Sequence, residues 1–285
     1  MKIIMVSEIK NEKHLACFID ILGFSDKLEA ANNNKNKLRE ILKSLNKFYE
    51  EFMDDPPYLD ESWGITRTFS DCVYISIPED SLPAKNEASL YDRVGLKLSE
   101  IGVAQARLIV NGESAMFIRG GIHFGERVYK DSDTEVSEAY YKAYTLERSV
   151  VFPVIGINAD FARDLPQLSG FEQHANVPHQ GRPNDNYVET TKLKSGKTIH
   201  FLDYLQCFID ENYGDESIDE FLRRHKTAII KAFKENETKN SISIKYSYLA
   251  HNYHNVFIQR NNYDASLLID ETDIPKPELI NENDE

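Results

Sequence analysis

The sequence predicts an α+β fold, with helices laid against a mostly antiparallel sheet. Three observations predict it. Short apolar runs bounded by turn residues alternate with longer stretches in which apolar residues recur every three or four positions. Several of the short runs lie close enough to a neighbour to form hairpins. The order along the first 160 residues is strand, helix, hairpin, helix, strand, hairpin, helix, strand, which suits layers of helix on sheet. At 285 residues the chain can hold one large domain, or one domain with a smaller appendage.

Residues 1–13 are charged and lack apolar periodicity, so they read as a flexible leader. Ala16-Cys17-Phe18-Ile19-Asp20-Ile21-Leu22-Gly23-Phe24-Ser25 is the stretch around which the rest is arranged. His14 to Ile19 is the first strand, apolar on both faces and so buried on both. It ends at Asp20, and Gly23 opens a helix that runs from Ser25 to about Met53 with a break expected at Asn32-Asn33-Asn34. Trp63 to Phe69 and Cys72 to Ile77 flank Ser70-Asp71 as a hairpin with an aspartate at its tip. A largely apolar helix follows from about Tyr91 to Asn111. Ala115 to Phe124 is a strand whose Gly120-Gly121 pair admits something close to the backbone. Glu126 to Tyr129 continues a hairpin, and the loop Asp131-Ser132-Asp133-Thr134 leads into a helix from Ser137 to Val150. Phe152 to Ala159 returns as a strand.

Beyond that, residues 160–187 read as a long loop. Val188-Glu189-Thr190 and Thr198-Ile199-His200-Phe201 make a further hairpin around Lys194-Ser195-Gly196-Lys197. Ile218 to Asn236 and Ile242 to Arg260 are helices, and 261–285 is an acidic, loosely ordered tail in which Leu267-Leu268-Ile269 can dock. The expected division is a leader at 1–13, a catalytic domain at 14–205, a helical extension at 206–260 and the tail at 261–285.

Composition narrows the function. Apolar residues make up 41% and charged residues 28%, which is ordinary globular usage. No run approaches the roughly 20 apolar residues of a membrane span, and the apolar start is too short for a signal peptide. A cytoplasmic protein that engages no membrane is therefore expected. Cys17, Cys72 and Cys207 make no metal-ligand spacing and read as reduced thiols. The net charge of −14 argues against binding duplex nucleic acid but leaves a nucleotide open as substrate, because a divalent ion supplies local positive charge.

Taken alone, Asp20 reads first as a cap on the turn or the helix. Asp71, a second carboxylate at a hairpin tip, shifts the reading toward a metal. Phe18 to Phe24, then Phe69-Ser70-Asp71, then Arg119-Gly120-Gly121-Ile122-His123-Phe124-Gly125, then Ala139 to Glu147 resemble in order and spacing the successive signatures of class III nucleotidyl cyclases. Within that superfamily the chain is most similar to the pyrimidine (uridylate and cytidylate) cyclases of Pycsar anti-phage defence. The pointers are Ala143-Tyr144-Thr145-Leu146-Glu147, Lys245-Tyr246-Ser247-Tyr248-Leu249-Ala250 and Tyr253-His254-Asn255. The resemblance spans roughly residues 14–160 and implies a class III cyclase-like sandwich with a C-terminal helical extension.

That resemblance implies a reaction. The ribose 3′ oxygen of a nucleoside triphosphate attacks the α-phosphorus in line as pyrophosphate leaves, and two divalent ions stabilise the attacking and leaving oxygens. Mn2+ or Mg2+ prefers oxygen ligands, which Asp20 and Asp71 offer from different strands, with the Ile21 carbonyl as a third. Gly23 would turn the backbone so that the amides of residues 22–25 face the triphosphate, and Phe24 would cover them. A plain strand-to-helix turn over a buried phenylalanine is the simpler account of the same residues.

The positions that read the base in purine-specific relatives are occupied here by Arg67 and Thr134. Arginine is a donor suited to pyrimidine carbonyls, which argues against an adenylate cyclase and favours UTP over CTP. Arg67 reads equally as a strand arginine paired with a surface carboxylate. Where relatives place an asparagine and, four residues on, an arginine that steady ribose and phosphate, this chain has Tyr141 and Thr145. Threonine cannot replace a guanidinium, so Lys142, Arg148 or Arg119 would take over, or the metals would carry the charge alone. Tyr140 and Tyr144 read as a core or interface aromatic cluster. His123 reads as a structural, hydrogen-bonded residue.

The resemblance implies a homodimer with shared sites, Asp20 and Asp71 from one subunit facing Arg67, Thr134, Tyr141 and Thr145 from the other. It also implies that the product, cyclic UMP or, as the neighbouring reading, cyclic CMP, alerts a separate effector. The missing asparagine and arginine keep a second class of function open: a catalytically silent cyclase-like module that binds nucleotide and signals by dimerising.

Overall fold

The computed structural model describes residues 10–53, 65–78, 90–110, 115–131, 134–165, 187–193, 196–211 and 217–277. Its frame is one sheet of eight strands. The strands are β1 (Lys10–Ile21), β2 (Ile65–Phe69), β3 (Cys72–Pro78), β4 (Ile118–Asp131), β5 (Thr134–Ser137), β6 (Ile155–Ile157), β7 (Val188–Lys192) and β8 (Thr198–Leu202). They lie in the order β2-β3-β1-β4-β6-β8-β7, with β5 paired to β4 off that path. Every pairing is antiparallel except β4 with β6. This is the α+β class expected, and the reason is visible in β1, which runs between β3 and β4 and is buried on both faces as its apolar run requires.

Strand alternation then assigns the two faces. Leu15, Cys17, Ile19 and Ile21 of β1 join Val73, Ile75 and Ile77 of β3 and Ile118 and Ile122 of β4 in the main core. That face is covered by α2 (Lys35–Met53), α3 (Leu90–Val110), α6 (Tyr204–Glu211) and α7 (Ile218–Glu235). Ala16 and Phe18 point the other way, beneath Ala139 and Ala143 of α4 (Glu138–Ser149). Ser137 caps α4 by accepting from the Tyr140 amide at 2.8 Å. Two glycines let α4 settle on the sheet: a Cβ on Gly121 would lie 2.1 Å from the Ala143 carbonyl oxygen, and one on Gly156 would lie 2.7 Å from Val150.

Several boundaries move. β1 starts at Lys10, inside the expected leader, because residues 10–13 find partners Tyr129 to Glu126 on β4. The helix after Gly23 is broken as expected, into α1 (Phe24–Ala31) and α2, with Asn32 and Asn33 both at positive φ. The strand expected over 152–159 shortens to β6, and α5 (Ala159–Asp164) begins where Asn158 caps it. The C-terminal helix is one rod of α8 (Asn240–Leu249), a π turn at Ala250–His254 and α9 (Asn255–Arg260). Most of the loop expected over 160–187 lies outside the described residues, as does 278–285. No helix of the described residues is long and apolar enough to cross a membrane, and Cys17, Cys72 and Cys207 form no disulfide with one another.

The segment after α9 differs most from expectation. Leu267 and Ile269 dock as expected, but the tail is not loose: residues 264–277 lie against α7 and the π turn, burying Ile274 as well. Polar groups tie its backbone down. Asn255 donates to the Ile269 carbonyl at 2.9 Å and accepts from the Ile269 amide at 2.8 Å, Lys226 donates to Leu268 O at 2.6 Å, and His254 bonds Leu267 O at 2.9 Å. Burial lowers the pKa of His254 to about 4, so the ring is neutral and its Nε2 carries the donated proton. Asn255→Ala, which strips both bonds from Ile269, should cost about 1–3 kcal/mol. Hydrogen exchange should then show amides 267–274 exchanging faster while those of β1 keep their protection.

Candidate functional site

The end of β1 gathers the chemistry. Alternation places Asp20 on the α4 face, and register places it between two side chains: Cys72 of β3 on one side and Arg119 of β4 on the other. The row is bonded. Cys72 Sγ donates to Asp20 Oδ1 at 3.7 Å, and Arg119 donates to Asp20 Oδ2 through Nη2 at 3.2 Å and Nε at 3.4 Å. Asp71 precedes Cys72 in the two-residue turn between β2 and β3, where Ser70 adopts a left-handed conformation at φ 53. The Ile21 amide donates to the Asp71 carbonyl at 3.2 Å, which binds the hairpin tip to the end of β1. One ligand atom each from Asp20, Asp71 and Cys72 lies within 4.8 Å of the others.

Electrostatics show what this cluster lacks. Burial pushes the Asp20 carboxyl up to about 6, helped by a hydrogen bond to Asp71 and by the Asp71 charge, against the pull of Arg119. Burial, Asp20 and Asp71 likewise push the Cys72 thiol up to about 12. A buried third acid, Glu147 of α4, has its Oε1 2.5 Å from Arg119 Nε. The Nε–H is directed at Asp20, so the Glu147 contact is ionic rather than a directed hydrogen bond. Arg119 thus sits between two carboxylates, with Asp71 beside them.

This donor set fits a hard divalent cation. Two carboxylates whose crowding raises one pKa are relieved by a dication, and both offer oxygen. The thiol adds little, because it stays protonated and magnesium and manganese prefer oxygen.

The remaining expected residues spread around this centre. Gly23 sits at φ 73 at the head of α1 with open space where a Cβ would go. Half-buried Phe24 packs against the main core. The amide of Leu22 is not turned outward as expected, since it donates to the Phe117 carbonyl at 2.9 Å. Arg67 is half-buried on edge strand β2 and registers with Tyr74, on the same face as Asp20. Thr134 opens β5 opposite Asp131. Tyr141 is 66% exposed on α4, and the Thr145 hydroxyl is spent on the Tyr141 carbonyl at 2.8 Å. Among the described residues no hydrogen bond or ion pair joins Arg67, Tyr141 or Thr145 to Asp20 or Asp71. Tyr140 and Tyr144 form an aromatic cluster with Phe18 and Tyr74, ring centroids 4.8–5.9 Å apart.

The three cations that stood in for the missing arginine are each engaged. Lys142 pairs with Glu138 at 2.7 Å, Arg148 lies 5.5 Å from the Tyr144 ring centroid, and Arg119 is held by Asp20 and Glu147. His123 is buried on the α4 face, its pKa lowered by burial, and takes no part in the cluster. Cys72 and Glu147 escape sequence reasoning: only register puts the first beside Asp20, and only the seating of α4 puts the second beside Arg119.

No protein-family model and no curated protein matches the chain. Among solved structures, the adenylyl cyclase CyaB from P. aeruginosa is similar at 16% identity and a TM-score of 0.43, over 68% of this chain and 95% of that one. A dimeric guanylyl cyclase domain of the RhoGC fusion protein from the aquatic fungus Blastocladiella emersonii is similar at 13% identity and a TM-score of 0.41, over 69% and 97%. A class III adenylyl cyclase-like ATP-binding protein from Pseudomonas aeruginosa is similar at 13% identity and a TM-score of 0.44, over 78% and 45%. At these identities and scores nothing about substrate, chemistry or assembly carries over from them.

Proposed function

We propose that the chain closes a nucleoside triphosphate into a 3′,5′-cyclic monophosphate, with UTP as its first substrate and CTP as the neighbouring one. The observation that carries this is the convergence of Asp20 and Asp71 at neighbouring strand ends, with Arg119 in register beside Asp20. Mn2+ or Mg2+ held there would supply Lewis acidity to the phosphate oxygens. The chain's own residues do the rest. Asp20, Asp71 and the Ile21 carbonyl hold the cation site, and Arg119 orients the Asp20 carboxylate. Gly23 and Phe24 shape the turn over which the phosphates lie.

Base and ribose contacts fall to Arg67, Thr134, Tyr141 and Thr145 of the second subunit of a homodimer. Exposed aromatic groups on α4 support such pairing: Tyr141 is 66% exposed, and Tyr140 and Tyr144 are each 37% exposed. The signal to a separate effector in defence against phage rests on the motif resemblance alone.

Incubating the pure protein with each of the four nucleoside triphosphates and Mn2+, then resolving the products, tests the reading. Cyclic UMP is the expected product, with pyrophosphate in equal amount. If no cyclic monophosphate forms from any of the four, the enzyme reading fails. The second reading, a silent nucleotide-binding module that signals by dimerising, then stands, favoured by the Thr145 hydroxyl being turned back onto its own helix. Mixing Asp20→Ala chains with Tyr141→Ala chains should restore part of the activity if sites are shared, and absence of rescue would remove the two-subunit assignment.

A further inference from the structure

A cleft of about 730 Å3 opens beside the Asp20 cluster, between the Gly23 turn and the connection from α7 to α8. Arg119 is common to both places: it bonds Asp20 and lines the cleft. Opposite it Lys239, the residue that caps the C-terminal rod, and Lys245 within the rod line the cleft, and α1 contributes Lys27. Four cations against Asp26 and Glu235 make this wall basic in a chain of net charge −14. The two sides are already joined at one point, where Lys239 Nζ lies 2.7 Å from Asp26.

Lys245 is the unusual member. It is half-buried, and among the described residues it has no hydrogen bond or ion pair. Its charge acts on Arg119, a like charge, and on Glu147, Asp26 and Asp20. An ammonium held partly out of water next to a guanidinium is a poor arrangement for an empty cleft and a good one for a polyanion. We propose that Lys245, supplied by the C-terminal rod, binds the polyphosphate chain of the nucleotide in this cleft and takes the phosphate-steadying place that Thr145 cannot fill. The inference rests on the cyclase reading for its choice of ligand. It makes the C-terminal segment part of the site, with α8 setting the position of Lys245 against Arg119.

Inorganic tripolyphosphate is the probe, because it tests the cleft without any cyclisation. Calorimetric titration of the full chain should show binding that weakens at least about tenfold in Lys245→Ala, the loss of one charged hydrogen bond. Lys245→Arg should keep most of the affinity. Lys192→Ala, exposed on the edge strand β7, should bind as the wild type does. Lys239→Ala, at the exposed mouth, should weaken binding with little effect on the fold and serves if Lys245→Ala unfolds. No tripolyphosphate binding by the wild type, or binding by both Lys245→Ala and Lys239→Ala equal to that of the wild type, overturns the proposal. Lysine-dependent binding in a protein that forms no cyclic nucleotide upholds the cleft and removes the cyclase reading. Cyclic nucleotide formation with an unchanged KM in Lys245→Ala does the reverse.

Discussion

Asp20→Asn is expected to abolish cyclic-nucleotide formation and, at the same time, to make the metal-free protein more stable above about pH 6. Activity should fall by about a hundredfold or more, the usual scale for removing one group that acts on developing charge. The stability effect follows from linkage. Burial and Asp71 raise the Asp20 pKa from 3.8 to about 6, so the folded chain holds that proton more tightly than the unfolded chain does. Stability therefore declines as pH rises from about 4 to about 6, and the deficit persists above that. The gap between the two pKa values corresponds to about 3 kcal/mol at neutral pH. Asparagine removes the charge while Arg119 keeps Glu147 as a partner, so a gain of about 1–3 kcal/mol is expected from urea unfolding in chelator. Mn2+ should raise the melting temperature of the wild type and leave the variant's unchanged. A wild type whose stability is flat between pH 4 and 6 would contradict the account of the cluster.

Asp20 and Asp71 were legible because their signals are local: an apolar strand that stops at a carboxylate, and a hairpin with an acid at its tip. The α+β class was legible for the same reason, since the continuous apolar run of β1 and the turn-bounded runs of the β2–β3 hairpin are signals carried by neighbouring residues. Cys72 and Glu147 were not legible, because their roles come from cross-strand register and from how closely α4 seats on the sheet. Neither is a spacing in the chain. The segment 264–277 misled for a compositional reason. Leu267-Leu268-Ile269 was legible as a run able to dock, but the acids and prolines around it obscured Ile274 and how firmly the backbone is bonded to Asn255, Lys226 and His254. Lys245 was seen only as part of a motif, and its place opposite Arg119 depends on where that rod lies.

Gly121→Ala should be the most damaging single-methyl change in the frame. The added Cβ would stand 2.1 Å from the Ala143 carbonyl oxygen and 2.9 Å from the Glu147 amide nitrogen, both backbone atoms of α4. No rotamer change relieves such a clash, so the helix must lift from β4. Overpacking of this kind costs about 1–3 kcal/mol and sometimes more, and the upper end is expected here. For a chain of this length that is a drop in melting temperature on the order of 5 °C. Lifting α4 also moves Glu147, which leaves Arg119 with Asp20 alone and should lower activity beyond the loss of folded protein. Gly23→Ala is the control. Its Cβ meets nothing within 4 Å, and only its φ of 73 is unfavourable, so about 1 kcal/mol should be lost. If Gly121→Ala melts as Gly23→Ala does, α4 is not seated on the sheet at Gly121, and the placement of Glu147 beside the Asp20 cluster goes with it.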